Sequence, residues 1–66
     1  MAGSVYKVIE IIGTSDTSWE EAAKSAVEEA ADSLDDLRVA EVVQLDMHIV
    51  ENKVAAYRAK VKVSFT

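Results

Sequence analysis

From Arg38 to the end of the chain, the hydrophobic pattern repeats every two residues and is interrupted only once. The interruption is Glu51-Asn52-Lys53, in which Asn52 tolerates the left-handed backbone of a tight turn. A period of two predicts β-strands, and two such runs joined by a short turn predict an antiparallel hairpin. This hairpin takes up almost half of the 66 residues, so it dominates the fold.

The two strands of the hairpin differ in character. On the second strand, the apolar positions are Tyr57, Ala59, Val61, Val63 and Phe65, and they alternate with a polar row of Arg58, Lys60, Lys62 and Ser64. On the first strand, strict alternation predicts one face made of Val39, Glu41, Val43, Leu45, Met47 and Ile49. It predicts the other face to be Arg38, Ala40, Val42, Gln44, Asp46, His48 and Val50.

The first part of the chain predicts a strand followed by a helix. Residues 5–12 are β-branched or aromatic and apolar on both faces, so this strand needs cover on both sides. After a turn at 13–17, Ser18 and Glu21 have the spacing of a capping box. An alanine-rich stripe then recurs at helical spacing from Trp19 to Leu34, and Trp19 at its start is predicted to be a packing anchor.

The end of this helix is predicted to be strongly acidic. Asp32, Asp35 and Asp36 are expected in its last turn, where the helix dipole disfavours carboxylates. Arg38, a lysine of a neighbouring subunit or a bound cation could offset them. In all, the sequence predicts an α+β fold of order β-α-β-β: a three-stranded antiparallel sheet wrapped around one helix, in a single domain over 1–66.

Such a short chain has little core of its own, and the usual reinforcements are missing from the sequence. It has no cysteine and a single histidine, which exclude disulfides, thiolate metal sites and multi-histidine zinc sites within one chain. We therefore expect a homo-oligomer, with contacts through the outer sheet face and the strand edges. Glu10, Glu41 or Asp46 could pair there with the basic row, which is Arg58, Lys60 and Lys62. Alternatively, that row is a solvated edge that discourages aggregation.

Charge and hydropathy exclude some partners. The net charge is −5 and the pI is about 4.6, which disfavours nucleic acid. No apolar run reaches the ~20 residues of a membrane span, and no secretory signal pattern is present, so we expect a cytoplasmic protein. No phosphate loop or triad is visible, and His48 is expected at a surface or interface, so we predict no enzyme activity.

Several short motifs together resemble one family. These are Tyr6-Lys7-Val8-Ile9, Ile12-Gly13-Thr14-Ser15, Val39-Ala40-Glu41-Val42 and the closing run from Tyr57 to Phe65. Their order and spacing, in a chain of this length, resemble the dodecins. The resemblance implies a hollow homododecamer of 23 symmetry that stores small ligands rather than transforming them. The ligands implied are riboflavin or FMN at subunit contacts, and in some members coenzyme A.

The resemblance also implies cofactor positions, and this chain departs from several of them. The flavin-pocket positions are Val39, Glu41 and Arg58. Val39 stands where flavin-binding dodecins carry an aromatic residue, usually tryptophan, Arg58 stands where they carry glutamine, and Asp46 stands where several carry arginine. Glu41 matches the family pattern.

A subgroup that lacks the tryptophan binds calcium, and this chain resembles that subgroup most. The residues that carry this likeness are Thr17-Ser18-Trp19-Glu20 and Asp35-Asp36-Leu37-Arg38-Val39-Ala40. The candidate metal ligands are Asp36, Glu41 and Asp46, shared among copies because calcium takes six to eight oxygens. The alternative function is a structural or interaction oligomer with no physiological small ligand.

Overall fold

The computed structural model describes residues 5–66, so the first four residues of the predicted 1–66 domain lie outside the described residues. The elements are β1 (Lys7–Ser15), α1 (Trp19–Ser33), β2 (Leu37–Val50) and β3 (Lys53–Phe65). They form one antiparallel sheet in the order β1-β3-β2, with α1 packed on one face. The predicted β-α-β-β fold is confirmed.

The helix begins at the predicted cap, but the capping box is only half formed. The Ser18 hydroxyl accepts a hydrogen bond from the Glu21 amide at 3.1 Å, as predicted. The second bond of the box does not come from the Glu21 side chain, because the Ser18 amide donates to the Ser15 hydroxyl at 3.4 Å. A serine from the end of β1 thus ties the strand to the start of the helix.

The helix ends earlier than the sequence predicted. Its last residue is Ser33, and the Leu34 amide closes it by donating to the Ala30 carbonyl at 2.9 Å. The expectation that Asp35 and Asp36 lie in the last turn is therefore wrong. Asp36 adopts a left-handed φ of 60°, which directs the chain into β2. Among the offsets expected for this acidic segment, the structure shows Arg38, whose guanidinium lies 3.4 Å from the Asp36 carboxylate.

The core between helix and sheet is built from small side chains. Its buried members come from one stripe of α1 and from the centre of β3: Ala22, Ala26, Ala59, Val61 and Val63. Gly13 makes the close approach possible, because a Cβ at that position would lie 2.0 Å from the Ala22 carbonyl oxygen. With so little apolar volume buried, the folded chain gains less from its own core than a larger domain does.

Strict alternation holds along β3 but fails along β2. Residues that pair across strands share a face of the sheet. Val42 pairs with the buried Val61, and Leu45 pairs with the buried Ala59, so both lie on the helix-bearing face. The predicted separation of Val42 from Leu45 onto opposite faces is therefore wrong. Its physical cause is a bulge between Val42 and Gln44 that adds one residue to β2 and reverses the pattern.

The hairpin extends well beyond the rest of the fold. β1 ends at Ser15, which pairs with Tyr57, so residues 48–56 form a two-stranded segment that we call the distal ribbon. Its turn residues Glu51 and Asn52 both have positive φ, as tight hairpin turns require. The principal extents are 55 × 20 × 14 Å, and the radius of gyration is 13.9 Å, against about 11 Å for a compact chain of this length. In the described chain, α1 is not long and apolar enough to cross a membrane.

Candidate functional site

The sheet face that points away from α1, here called the outer face, carries the charged residues of the sheet. Its central positions on β3 are Ser64 and the three residues of the basic row, and each of the four has one partner in β1 and one in β2. From one end to the other, these rows are Val8–Ser64–Val39, Glu10–Lys62–Glu41, Ile12–Lys60–Gln44 and Thr14–Arg58–Asp46. The register thus places the acidic residues Glu10, Glu41 and Asp46 beside the basic row, as the sequence suggested.

The strongest polar contact on this face joins β2 to β3. The Arg58 guanidinium donates two hydrogen bonds to the Asp46 carboxylate, from Nε at 2.7 Å and from the terminal nitrogen at 2.9 Å. The hydrogen bond from Arg58 lowers the pKa of Asp46; burial opposes this, and the charges of Arg58 and Lys60 add to it. The same hydrogen bond raises the pKa of Arg58. This bidentate geometry holds both groups in their charged forms.

The other end of the outer face forms an open pocket of about 320 Å³. It is lined by Val8, Val39, Glu41, Lys62 and Ser64. The Ser64 hydroxyl accepts from the Val39 amide at 3.2 Å and donates to the Val39 carbonyl at 3.3 Å. These bonds span the register shift of β2 between Leu37 and Val39, and they hold Val39 in place at the pocket wall.

Two of the three predicted flavin-pocket residues come together in this pocket. Val39 and Glu41 both line it, but Arg58 does not. Arg58 lies four residues along β3 from Lys62, or about 13 Å at the rise of a strand, and its guanidinium is held by Asp46. The pocket wall at position 39 is an exposed aliphatic side chain, 63% accessible, which offers no flat ring for stacking.

The three predicted metal ligands do not come together within one chain. Asp36 lies in the connection before β2, where it contacts Arg38 and accepts a hydrogen bond from the Thr66 hydroxyl. Asp46 is held by Arg58. Glu41 lies in the outer-face pocket and, within residues 5–66, has no cation within 4 Å of its carboxylate. The described chain also contains no group of three acidic or histidine side chains that could hold an ion.

Sequence reasoning missed some residues of the site. Val8, Lys62 and Ser64 line the pocket only because of the strand register. Counting back from the turn at Glu51-Asn52 would have placed Lys62 opposite Glu41, which is the observed pairing.

On the opposite side of the sheet, Trp19 is the packing anchor that the sequence predicted. Its ring meets Tyr57 edge-on at 5.1 Å between centroids. Its indole Nε1 donates to the Asp46 carbonyl at 3.0 Å. Asp46 is thus held by the indole through its backbone and by Arg58 through its side chain, which couples the start of α1 to the outer face.

Comparison with known proteins gives a consistent result. The family model for dodecin matches residues 5–66. Calcium dodecin from Mycobacterium tuberculosis is 58% identical over 62 residues, which make up 94% of this chain and 87% of that protein. The crystal structure of the calcium-chelating M. tuberculosis calcium dodecin, which has a novel calcium-binding site, is similar with a TM-score of 0.87 and 57% identity. That match covers 96% of this chain and 90% of the other.

More distant dodecins have the same fold. A point variant of the Thermus thermophilus dodecin is 35% identical, with a TM-score of 0.87 over 96% of this chain and 94% of that one. The dodecin from Streptomyces coelicolor is 32% identical, with a TM-score of 0.89 over 98% and 93%. The family model matches nearly the whole chain, and a calcium dodecin is 58% identical to it. This chain therefore belongs to the dodecin family and, within it, to the calcium-dodecin-like subgroup.

Proposed function

We propose that this chain is a non-catalytic binding and storage protein of the cytoplasm that forms a hollow homododecamer and holds calcium at subunit contacts. The observation that carries the proposal is the 58% identity, over 94% of the chain, to a calcium dodecin. At this similarity, the surfaces that bind ligand and partner copies are expected to be retained along with the fold.

The outer face supports the assembly part of the proposal. It exposes three large apolar side chains that no element within residues 5–66 covers: Val8 at 57%, Ile12 at 52% and Val39 at 63%. Exposed apolar area concentrated on one face is typical of an interface. A second copy laid on this face would remove these side chains from water, and it would bring two sets of outer-face charges together.

We propose Glu41 as the leading calcium ligand among the three candidates. Asp46 and Asp36 are already engaged by Arg58 and Arg38, and calcium would have to compete with those contacts. Calcium needs six to eight oxygens, whereas the described part of one chain offers no cluster of three suitable side chains. The proposed ion therefore lies between copies, where several Glu41 carboxylates or their neighbours meet.

Flavin is the weaker candidate ligand for the same surface. The outer-face pocket brings Val39 and Glu41 together, which favours a ligand at that place. However, Val39 cannot supply the stacking of an aromatic ring, worth about 0.5–1.5 kcal/mol beyond the area buried. We therefore expect no submicromolar binding of FMN, and quenching of FMN fluorescence on titration with the protein measures this directly.

Calorimetric titration with calcium tests the proposal. We expect heat of binding for the wild type, and a melting temperature that rises with calcium, because a ligand at one hundred times its dissociation constant adds about 2.7 kcal/mol of stability per site. The Glu41→Gln variant should lose most of this binding. Glu28→Gln makes the same chemical change on the exposed face of α1 and should bind like the wild type.

The alternative function, an oligomer with no physiological small ligand, predicts different results. In that case, calcium, FMN and coenzyme A would all leave the melting temperature of the wild type unchanged. An assembled protein that shows no calcium heat at millimolar metal would remove the calcium proposal.

A further inference from the structure

An apolar groove lies on the other side of the molecule, beside the first turns of α1. It has a volume of about 410 Å³ and is lined by Trp19, Glu20, Ala23, Val42 and Leu45. We call it the Trp19 groove. Val42 and Leu45 remain 48% and 50% exposed in its floor. Glu20 is its one charged residue, so the groove suits an apolar segment that carries a cation.

The distal ribbon has the complementary character. Ile49, Val50 and Val54 are exposed to 59%, 47% and 48%, and the ribbon carries one acidic residue, Glu51, and one lysine, Lys53. Beyond the pair Ser15–Tyr57, the described part of the chain gives the ribbon only two strands and no helix behind it. A two-stranded hairpin is at best marginally stable in water, so the ribbon gains most from a partner that covers it.

The ribbon cannot fill the groove of its own chain. Leu45 in the groove and Val50 in the ribbon lie on the same strand, β2. Five residues of strand separate them by about 17 Å. From the end of the three-stranded sheet, the ribbon also extends away from the groove. A ribbon that occupies the groove must therefore come from another molecule.

We propose that the distal ribbon of a second copy occupies the Trp19 groove. Each chain has one ribbon and one groove, so a closed assembly satisfies both without any other protein. Lys53 of the ribbon would reach the Glu20 carboxylate at the groove rim, a match of opposite charges. This contact rests on the proposed assembly of identical copies, but it uses a surface separate from the outer face.

The absence of cysteine from the sequence makes this contact directly testable. One variant carries Val42→Cys in the groove and Val50→Cys in the ribbon. A second carries Leu45→Cys and Val54→Cys, so that the test does not depend on one pair of positions. A matched control carries Glu28→Cys on the exposed face of α1 together with Val50→Cys. All are exposed positions, and circular dichroism checks that each variant folds.

Mild oxidation followed by a non-reducing gel should give a ladder of covalent dimers and larger species from the two groove variants. The control should give at least tenfold less cross-linked product. If native mass spectrometry shows an intact assembly but neither groove variant cross-links above the control, the ribbon contact is wrong while the assembly stands. The ribbon contact is equally wrong if a small molecule is found in the groove instead. A monomeric wild type would overturn both the ribbon contact and the assembly.

Discussion

Gly13 sits where β1 passes beneath α1, and it is the residue on which the distance between helix and sheet depends most. A methyl group there would lie 2.0 Å from the Ala22 carbonyl oxygen and 2.9 Å from the Ala26 Cβ. Because the first of these is backbone, the whole helix would have to move. We expect Gly13→Ala to lower the free energy of unfolding by about 1–3 kcal/mol or more, the usual cost of overpacking.

Chemical denaturation measures this effect by comparing the free energy of unfolding of the Gly13→Ala variant with that of a separate Thr14→Ala variant. Thr14 is the exposed neighbour on the same strand, so its change should have little effect on stability. Equal stability of the two variants would contradict the close packing described for Gly13.

Asp46 gives the molecule a predictable response to acid. Its pKa in the folded protein is lowered, chiefly by the hydrogen bond from Arg58. The ionised carboxylate therefore stabilises the fold above the unfolded-state pKa, near 4. This contribution is lost as the pH falls through the lower, folded-state pKa. The wild type should melt above Asp46→Asn at pH 7, and the difference should shrink below pH 3.

Thermal melts of both proteins at the two pH values provide the measurement. A difference between wild type and Asp46→Asn that stays constant from pH 7 to pH 2.5 would show that the charge of Asp46 does not stabilise the fold.

Residue types alone predicted several of these roles, and geometry decided the others. The Ser18 cap and the Trp19 anchor follow from their positions at the start of an amphipathic pattern, because capping and packing there are local. The pairing of Asp46 with Arg58 was one of several open options, since three acidic residues could meet the basic row. Which one does so depends on strand register, which residue types do not specify.

At the scale of the elements, α1 depends on its N-terminal cap. The Ser18 hydroxyl satisfies one of the amides that the first turn leaves without an intrahelical partner. We expect Ser18→Ala to cost about 1 kcal/mol of stability. Ser25→Ala, the same change at an exposed mid-helix position, should be neutral or slightly stabilising, because alanine is the better helix former. Urea denaturation of the two variants compares them, and equal losses would argue against the cap.

The bulges of the hairpin explain why the faces of β2 could not be predicted. If residues are paired by their distance from the hairpin turn, Glu41 pairs with Lys62, as observed. The same rule would pair Asp46 with Tyr57, on the helix-bearing face. An extra residue in β3 between the partners of His48 and Ile49, and another in β2 between Val42 and Gln44, offset each other. Asp46 consequently reaches Arg58 on the outer face. A bulge depends on packing across the sheet, and a period-two pattern carries no sign of it.

At the scale of the whole molecule, the single chain is a half-covered sheet. α1 covers one face with alanines and leaves the Trp19 groove beside it, while the outer face keeps its valines, its isoleucine and its charged rows in water. The sequence predicted this need for partner copies from the two-sided apolar pattern of β1. The outer face, the Trp19 groove and the distal ribbon are different surfaces of the molecule, as the proposed closed shell with more than one kind of contact requires.

Native mass spectrometry of the protein, diluted to low micromolar concentration with calcium present, is the decisive measurement for the proposed assembly. We expect one dominant species of twelve times the 7.2 kDa chain mass, with calcium retained and lost on treatment with a chelator. A folded, stable species at the mass of one chain would contradict the assembly, because the outer face would then need no second copy.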